Sequence, residues 1–169
     1  KKDAAALLRG ELMSRKWKPE VVHISGVPDC YQPVERTLQI TRQCLEVMLE
    51  FGNPVTLITK NHLVTRDVDL LKELAAKRLT AVMVSVTTLD QDLTRVMEPR
   101  TSVPRRRLEA IAKLTEAGVP VGVMVAPVVP GLTDHEAPAI LKAAAEAGAK
   151  WAGYTTLRLP YAIKDLFAD

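Results

Sequence analysis

The residues able to do chemistry fall into short polar stretches, each closing an apolar run. The first holds His23, Ser25, Gly26, Pro28, Asp29, Cys30, Tyr31 and Gln32, and the second Thr59, Lys60, Asn61 and His62. The third holds Ser85, Thr87 and Thr88, the fourth Ala126 to Asp134, and the fifth Arg158 and Pro160. A lysine at the end of an apolar run offers two chemistries. It can hold a carboxylate as a point charge, or, desolvated, form a Schiff base with a carbonyl compound in the manner of an aldolase. Serine and threonine hydroxyls can bind a ligand, and they are equally ordinary strand residues. Cys30 and Cys44 are the only cysteines, too few for a disulfide framework or a self-contained zinc or iron-sulfur site. Cys30 falls in a loop as a free thiol, and Cys44 falls on an apolar helix face as a core residue. His23 and His62 lack partners at ligand spacing and read as structural. His135 follows Asp134, which reads as a helix N-cap.

Arg100, Arg105, Arg106 and Arg107 form a basic cluster around Pro104. Such a cluster can meet the phosphates of a nucleic acid, and Arg105 to Arg107 would carry a non-catalytic nucleic-acid-binding module. Three consecutive arginines cannot share one helix face, however, and aromatic residues for base stacking make up 4% of the chain. A solvated helix face is the reading these two facts favour.

The elements that must position these residues are marked by a repeated event. An amphipathic helix stops at a glycine and an apolar strand follows, at Gly52, Gly118 and Gly148. Glycine just past a helix takes the left-handed conformation without steric cost, so each copy marks a helix end before a strand. Strands are predicted over 21–26, 55–60, 80–88, 120–127 and 151–158, rich in Val, Ile, Thr and Met. The nearly continuous apolar run Val119 to Val129 predicts a parallel strand covered on both faces. Helical spacing relates Ile40, Cys44, Val47, Met48 and Phe51; Leu108, Ile111, Ala112 and Thr115; and Ile140, Leu141 and Ala144. A further helix is predicted from Asp3 to Trp17. This alternation implies a parallel sheet with right-handed crossovers. With no Gly-x-Gly-x-x-Gly turn or phosphate loop, a barrel or part of one is favoured over a nucleotide-binding open sheet. In parallel folds functional groups gather at the C-terminal ends of the strands, which is where the polar stretches lie.

Composition narrows the class. The 169 residues suffice for one domain with its own core, 1–169. Hydrophobic residues at 47% and charged residues at 25% describe a globular protein, and no run reaches membrane-spanning length. No secretory signal opens the chain, which makes the cytoplasm the expected location. The net charge of +3 permits an anionic partner without requiring one.

Five segments in order resemble the spore photoproduct lyase and DNA repair photolyase branch (SplB-like) of the radical S-adenosylmethionine (SAM) enzymes. They are Ser25 to Pro33, with Asp29, Cys30 and Tyr31; Thr59 and Lys60; Val84 to Thr88; Glu98, Pro99 and Arg100 with Arg107 to Ile111; and Val125 to Asp134. The resemblance covers nearly the whole chain. It implies a parallel-sheet partial TIM barrel, strands two to six of a (β/α)6 barrel. It also implies a lyase-like enzyme that cleaves SAM reductively, at a three-cysteine 4Fe-4S cluster, to a 5′-deoxyadenosyl radical. The family's Cys-x-x-x-Cys-x-x-Cys is absent from the 169 residues. The expectation is therefore a fragment whose first strand and cluster loop lie upstream of Lys1, unable to bind the cluster and inactive by itself, with an open sheet edge through which it self-associates. By the same resemblance Lys60 pairs with the SAM carboxylate, Ser85 contacts the cofactor, Ala126 offers a backbone contact to adenine, and Ser25 and Gly26 border the site. Cys30 is implied as a hydrogen-atom donor and Glu98 to Arg100 as a loop brace; Arg100 and Arg105 are expected, from the basic cluster itself, as substrate or anion contacts. Where many relatives carry threonine this chain has Pro28, which supplies neither a hydroxyl nor an N–H.

Overall fold

A computed structural model describes residues 3–26 and 28–159; Pro160, in the fifth polar stretch, lies outside the described residues. The helix α1 (Ala4–Leu12) precedes β1 (Val22–Ile24), α2 (Glu35–Leu38), α3 (Ile40–Phe51) and β2 (Val55–Thr59). A 3-10 turn (His62–Asp67) leads into α4 (Val68–Ala76) and β3 (Thr80–Ser85), followed by α5 (Gln91–Met97), α6 (Pro104–Glu116) and β4 (Val121–Val128). A second 3-10 turn (Asp134–Glu136), α7 (Ala137–Glu146) and β5 (Ala152–Thr156) complete the order. The five strands form one sheet in the order β1-β2-β3-β4-β5, parallel throughout. This is the expected partial barrel.

Strand periodicity sorts its residues. Val55, Leu57, Val82, Val84, Val121, Val123 and Val125 are buried, and they join Leu45, Met48, Leu71, Leu74, Ile111 and Leu114 of the helices in one core. Fully burying a Val or Leu side chain contributes about 1.5–3 kcal/mol, so this row ties the sheet to its helical layer. The alternate row, with Thr56, Ile58, Ala81, Met83 and Met124, is half-buried. The expectation that the Val119 to Val129 strand is covered on both faces is therefore corrected: the helices cover one face, and the other lines the open hollow of an unclosed barrel.

Three expected faces and ends shift. In α6 the buried positions are Pro104, Arg107, Ala110, Ile111 and Leu114, a stripe turned about one residue from the predicted one. In α3 Leu45 is buried, while Cys44 is half-buried and Phe51 exposed. Strand β1 shrinks to three residues because, among the described residues, it is an edge strand bonded only to β2, and it is followed by Gly26 at φ 116°. The three helix-ending glycines do take positive φ: 61° at Gly52, 82° at Gly118 and 101° at Gly148. Asp134 does not cap α7; its carboxylate accepts the Gly131 N–H at 3.0 Å and begins the second 3-10 turn. No helix among the described residues is long and apolar enough to cross a membrane.

Candidate functional site

The ends of β1, β2 and β3 open into a groove of about 240 Å³, lined by Gly26, Asp29, Ile58, Thr59, Lys60, Ser85 and Thr101. Three of the residues singled out from the sequence, Gly26, Lys60 and Ser85, are thus brought together. Strand parity explains why. Ile58 is level with Met83 in the sheet, so two residues further on Lys60 and Ser85 leave the same face at adjacent strand ends. A separate space beside β4 and α7, lined by Val125, Val128, Ala137, Leu141 and Tyr154, is apolar and carries no reactive group.

Asp29 fastens the loop after β1 to the end of β2. Its carboxylate accepts the Tyr31 N–H at 2.8 Å, the Thr59 hydroxyl at 2.7 Å and the Lys60 N–H at 2.7 Å. This places the Lys60 backbone, while the Lys60 side chain is placed by Glu98. The Glu98 carboxylate is ion-paired with the Lys60 ammonium through Oε1, which also accepts the Thr87 hydroxyl at 3.0 Å. Oε2 meets the Arg107 guanidinium at 2.6 Å. Burial raises the Glu98 carboxyl, and the charges of Arg107 and Lys60 more than offset it, leaving the group below its ordinary range. Glu98 therefore stays ionised and serves two cations.

Arg107 is the residue that sequence reasoning misplaced. It is not part of an exposed basic patch: its side chain is 1% exposed and it occupies a core position of α6. Arg105 and Arg106 point the other way, sharing Glu109 at 3.4 and 2.5 Å, and Arg105 is 84% exposed. The expected Arg105 to Arg107 cluster is thus split across two faces of the helix, which removes the contiguous surface a nucleic-acid-binding module would need. Arg100 is exposed on the loop between α5 and α6 and makes no ion pair among the described residues. A signal for Arg107 was present in the sequence: an arginine in step with Ala110, Ile111 and Leu114 sits in an apolar stripe, and a buried arginine demands a buried carboxylate.

The remaining sequence-selected residues are dispersed around the groove. Ser25 is exposed at the end of β1. The Ala126 carbonyl lies 3.4 Å from the Thr87 hydroxyl, which links β4 to the Glu98 network, and the Ala126–Pro127 peptide is cis. Cys30 sits between the ends of β1 and β2, its Sγ 3.9 Å from the Ile24 carbonyl and 3.8 Å from that of Ile58. Burial, helped by Asp29, pushes its thiol up to about 12, so it is a protonated S–H and not a nucleophilic thiolate. His23 is exposed and hydrogen-bonded with Thr56 at 2.5 Å. His62 packs beside Arg106 and is lowered by burial and by that charge. Among the described residues no group of three or more His, Cys, Asp or Glu could hold a metal ion, and two cysteines do not fit a three-cysteine cluster.

Residues 6–144 match the family model of the radical SAM superfamily. An uncharacterized protein of Mycobacterium tuberculosis is 36% identical over 134 residues, covering 79% of this chain and 39% of the relative. An uncharacterized protein of Acidianus two-tailed virus is 37% identical over 116 residues, covering 69% of this chain and 37% of the relative. The chain thus spans about two fifths of the length of these relatives. Among solved structures, a cysteine-to-serine mutant of spore photoproduct lyase superposes with a TM-score of 0.68 at 16% identity, covering 96% of this chain and 48% of that one. Native anSMEcpe with bound AdoMet gives 0.61 at 14% identity, covering 94% and 43%. These two likenesses concern the fold.

Proposed function

Because the chain belongs to the radical SAM superfamily, we propose that the groove at the ends of β1 to β3 receives the amino-acid end of SAM, with Lys60 on its carboxylate. The observation that carries this reading is the ammonium of Lys60, 26% exposed at the mouth of a groove otherwise lined by neutral groups and by an Asp29 whose oxygens are already engaged. At about 240 Å³ the groove suits one end of a nucleoside-sized ligand, with the remainder lying over the half-buried face of β3 and β4. Ser85 borders the groove as a second polar contact, Gly26 leaves its wall without a side chain, and Ala126 lies further along the same row of strand ends. Ser25 stands at its outer rim.

Bound at a reduced 4Fe-4S cluster, SAM would supply 5′-deoxyadenosyl radical chemistry, the cluster giving one electron and methionine leaving. The cluster's three thiolates are not among the two cysteines of this chain, so in this reading they come from the part of the protein outside these 169 residues, which by themselves are inactive. What this chain contributes is binding and orientation. Lys60 and Ser85 hold the ligand, and the loop from Glu98 to Val103 walls one side. Cys30, a protonated thiol near the strand ends, has the form a hydrogen-atom donor requires, and Arg100, without an ion pair among the described residues, is a cation available to an anionic substrate. A photoproduct lyase-like reaction on DNA is the substrate reading that follows from the resemblance to the SplB-like branch.

A Schiff base at Lys60 is disfavoured by the geometry. That chemistry needs a lysine desolvated in an apolar pocket or beside another cation, and Lys60 is paired with a carboxylate.

The test is to reconstitute the full-length protein anaerobically with iron and sulfide, add SAM and dithionite, and assay 5′-deoxyadenosine. Formation of that product, lowered at least about tenfold by Lys60→Ala, supports the reading. A loaded cluster with neither product nor measurable SAM binding overturns it.

A further inference from the structure

Arg107 does not itself line the groove, yet it holds two residues that do, Ser85 and Thr101, and each nitrogen of its guanidinium is hydrogen-bonded. Its Nε donates to the Ser102 carbonyl at 2.6 Å, one terminal nitrogen to the Ser85 carbonyl at 3.2 Å, and the other to Thr101 Oγ1 at 2.5 Å and Glu98 Oε2 at 2.6 Å. Two of these contacts hold the loop that carries Glu98, one ties that loop to the end of β3, and one fixes the carboxylate itself. The loop is also pinned to β2, since Ser102 N–H donates to the Lys60 carbonyl at 3.2 Å and His62 N–H to the Ser102 hydroxyl at 2.8 Å. Burying a guanidinium is costly unless every donor is satisfied. Here four of the five N–H donors are met, and the groups that meet them all converge on the surroundings of Lys60.

Resting on the reading that Lys60 receives the ligand carboxylate, we propose that Arg107 is a positioning residue: acting through Glu98, it sets how strongly the groove holds the amino-acid end of the ligand. The physical reason lies in a carboxylate shared between two cations of different kinds. The guanidinium is buried and forked and cannot leave, whereas the ammonium sits on a flexible stem at the groove mouth. Because Glu98 divides its charge between Arg107 and Lys60, it does not neutralise the ammonium alone, and an incoming carboxylate can share it. Without Arg107, Glu98 belongs to Lys60 alone and becomes a competitor of the ligand. Thr87 holds Glu98 Oε1 from the other side and keeps it from swinging into the groove. Asp29 does not take over that role, because its oxygens face the Tyr31 and Lys60 N–H groups and the Thr59 hydroxyl.

The experiment is calorimetric titration of the full-length protein with two ligands, SAM and 5′-methylthioadenosine, which keeps the nucleoside and lacks the amino-acid moiety. Arg107→Gln is expected to weaken SAM about tenfold and Thr87→Val about threefold, with 5′-methylthioadenosine changed by less than about twofold in both. Arg107→Lys, which keeps the charge and loses the fork, is expected to fall between wild type and Arg107→Gln. Thr87→Val deletes a single hydroxyl, so it carries the test if Arg107→Gln fails to fold. Equal weakening of both ligands means the network only maintains the fold and overturns the proposal, as does SAM affinity unchanged in both variants. Wild-type protein that binds neither ligand overturns the reading of the groove itself. Wild type that binds SAM, loses it in Lys60→Met and keeps it in Arg107→Gln overturns the positioning role alone.

Discussion

Glu98 has a side chain only 10% exposed between two cations, and removing its charge strands the one that cannot reach water. Glu98→Gln is therefore expected to lower stability by about 2–3 kcal/mol, since breaking a buried pair from one side leaves the other charge uncompensated. The sign of the pH dependence follows from its carboxyl lying below the ordinary range. Such a group stabilises the fold above its unfolded value, and that contribution is lost as pH falls through the folded one. Denaturant midpoints of wild type and Glu98→Gln should accordingly differ at pH 7 and converge below about pH 4; a constant gap would show that charge is not its source. Cys30 works in the opposite direction. Its thiol is raised to about 12, so its contribution is complete below an ordinary thiol's range and is lost as pH rises toward 12. At about pH 8.5, where an ordinary thiol is half ionised, Cys30 should resist iodoacetamide in the native protein and react on unfolding, as mass spectrometry of the labelled peptide would show. Rapid native labelling would mean that the site between β1 and β2 opens readily.

At the scale of elements, the glycine-marked βα repeats made most of the sheet legible, because three helix ends carried the residue that a left-handed turn favours. The end of α4 was not legible for the same reason. There the left-handed position is Arg78, at φ 58°, and no glycine announces it. An arginine in that conformation costs about 1 kcal/mol relative to glycine, partly offset by the greater unfolded-state freedom of glycine. Arg78→Gly should thus raise the thermal midpoint slightly, and a clear fall would contradict the argument. The candidate site divides in the same way. Lys60 and Ser85 could be found because they end apolar strands, whereas Glu98 and Arg107 meet only through tertiary packing and the one-residue rotation of the α6 stripe hid Arg107. Gly122 is a different kind of element-scale constraint. A Cβ there would lie 2.6 Å from Met83 Sδ and from Trp151 Cδ1, and the Trp151 indole N–H points at the same sulfur at 2.8 Å. Gly122→Ala should cost about 1–3 kcal/mol and change the tryptophan emission; unaltered emission and stability would mean that Trp151 is not seated against β4.

For the molecule as a whole, the parallel order leaves β1 and β5, among the described residues, at the two margins of the sheet. The β1 margin is only three residues long. The β5 margin is longer, and beside it Val125, Val128, Ala137, Leu141 and Tyr154 line an apolar hollow of about 270 Å³, with Tyr154 74% exposed. A strand edge with no partner among the described residues, next to exposed apolar surface, is a template for association. A protein of these 169 residues should therefore self-associate through β5, with an apparent mass in light scattering that rises with concentration. Placing a charge on the apolar side of that margin, as in Tyr154→Lys, opposes burial of the hollow at little cost to the core because the side chain is already exposed. The variant should shift the equilibrium toward monomer without lowering the thermal midpoint. Wild type that stays monomeric across the accessible concentrations would show that the margin is protected, and association unaltered by Tyr154→Lys would move the contact to another surface.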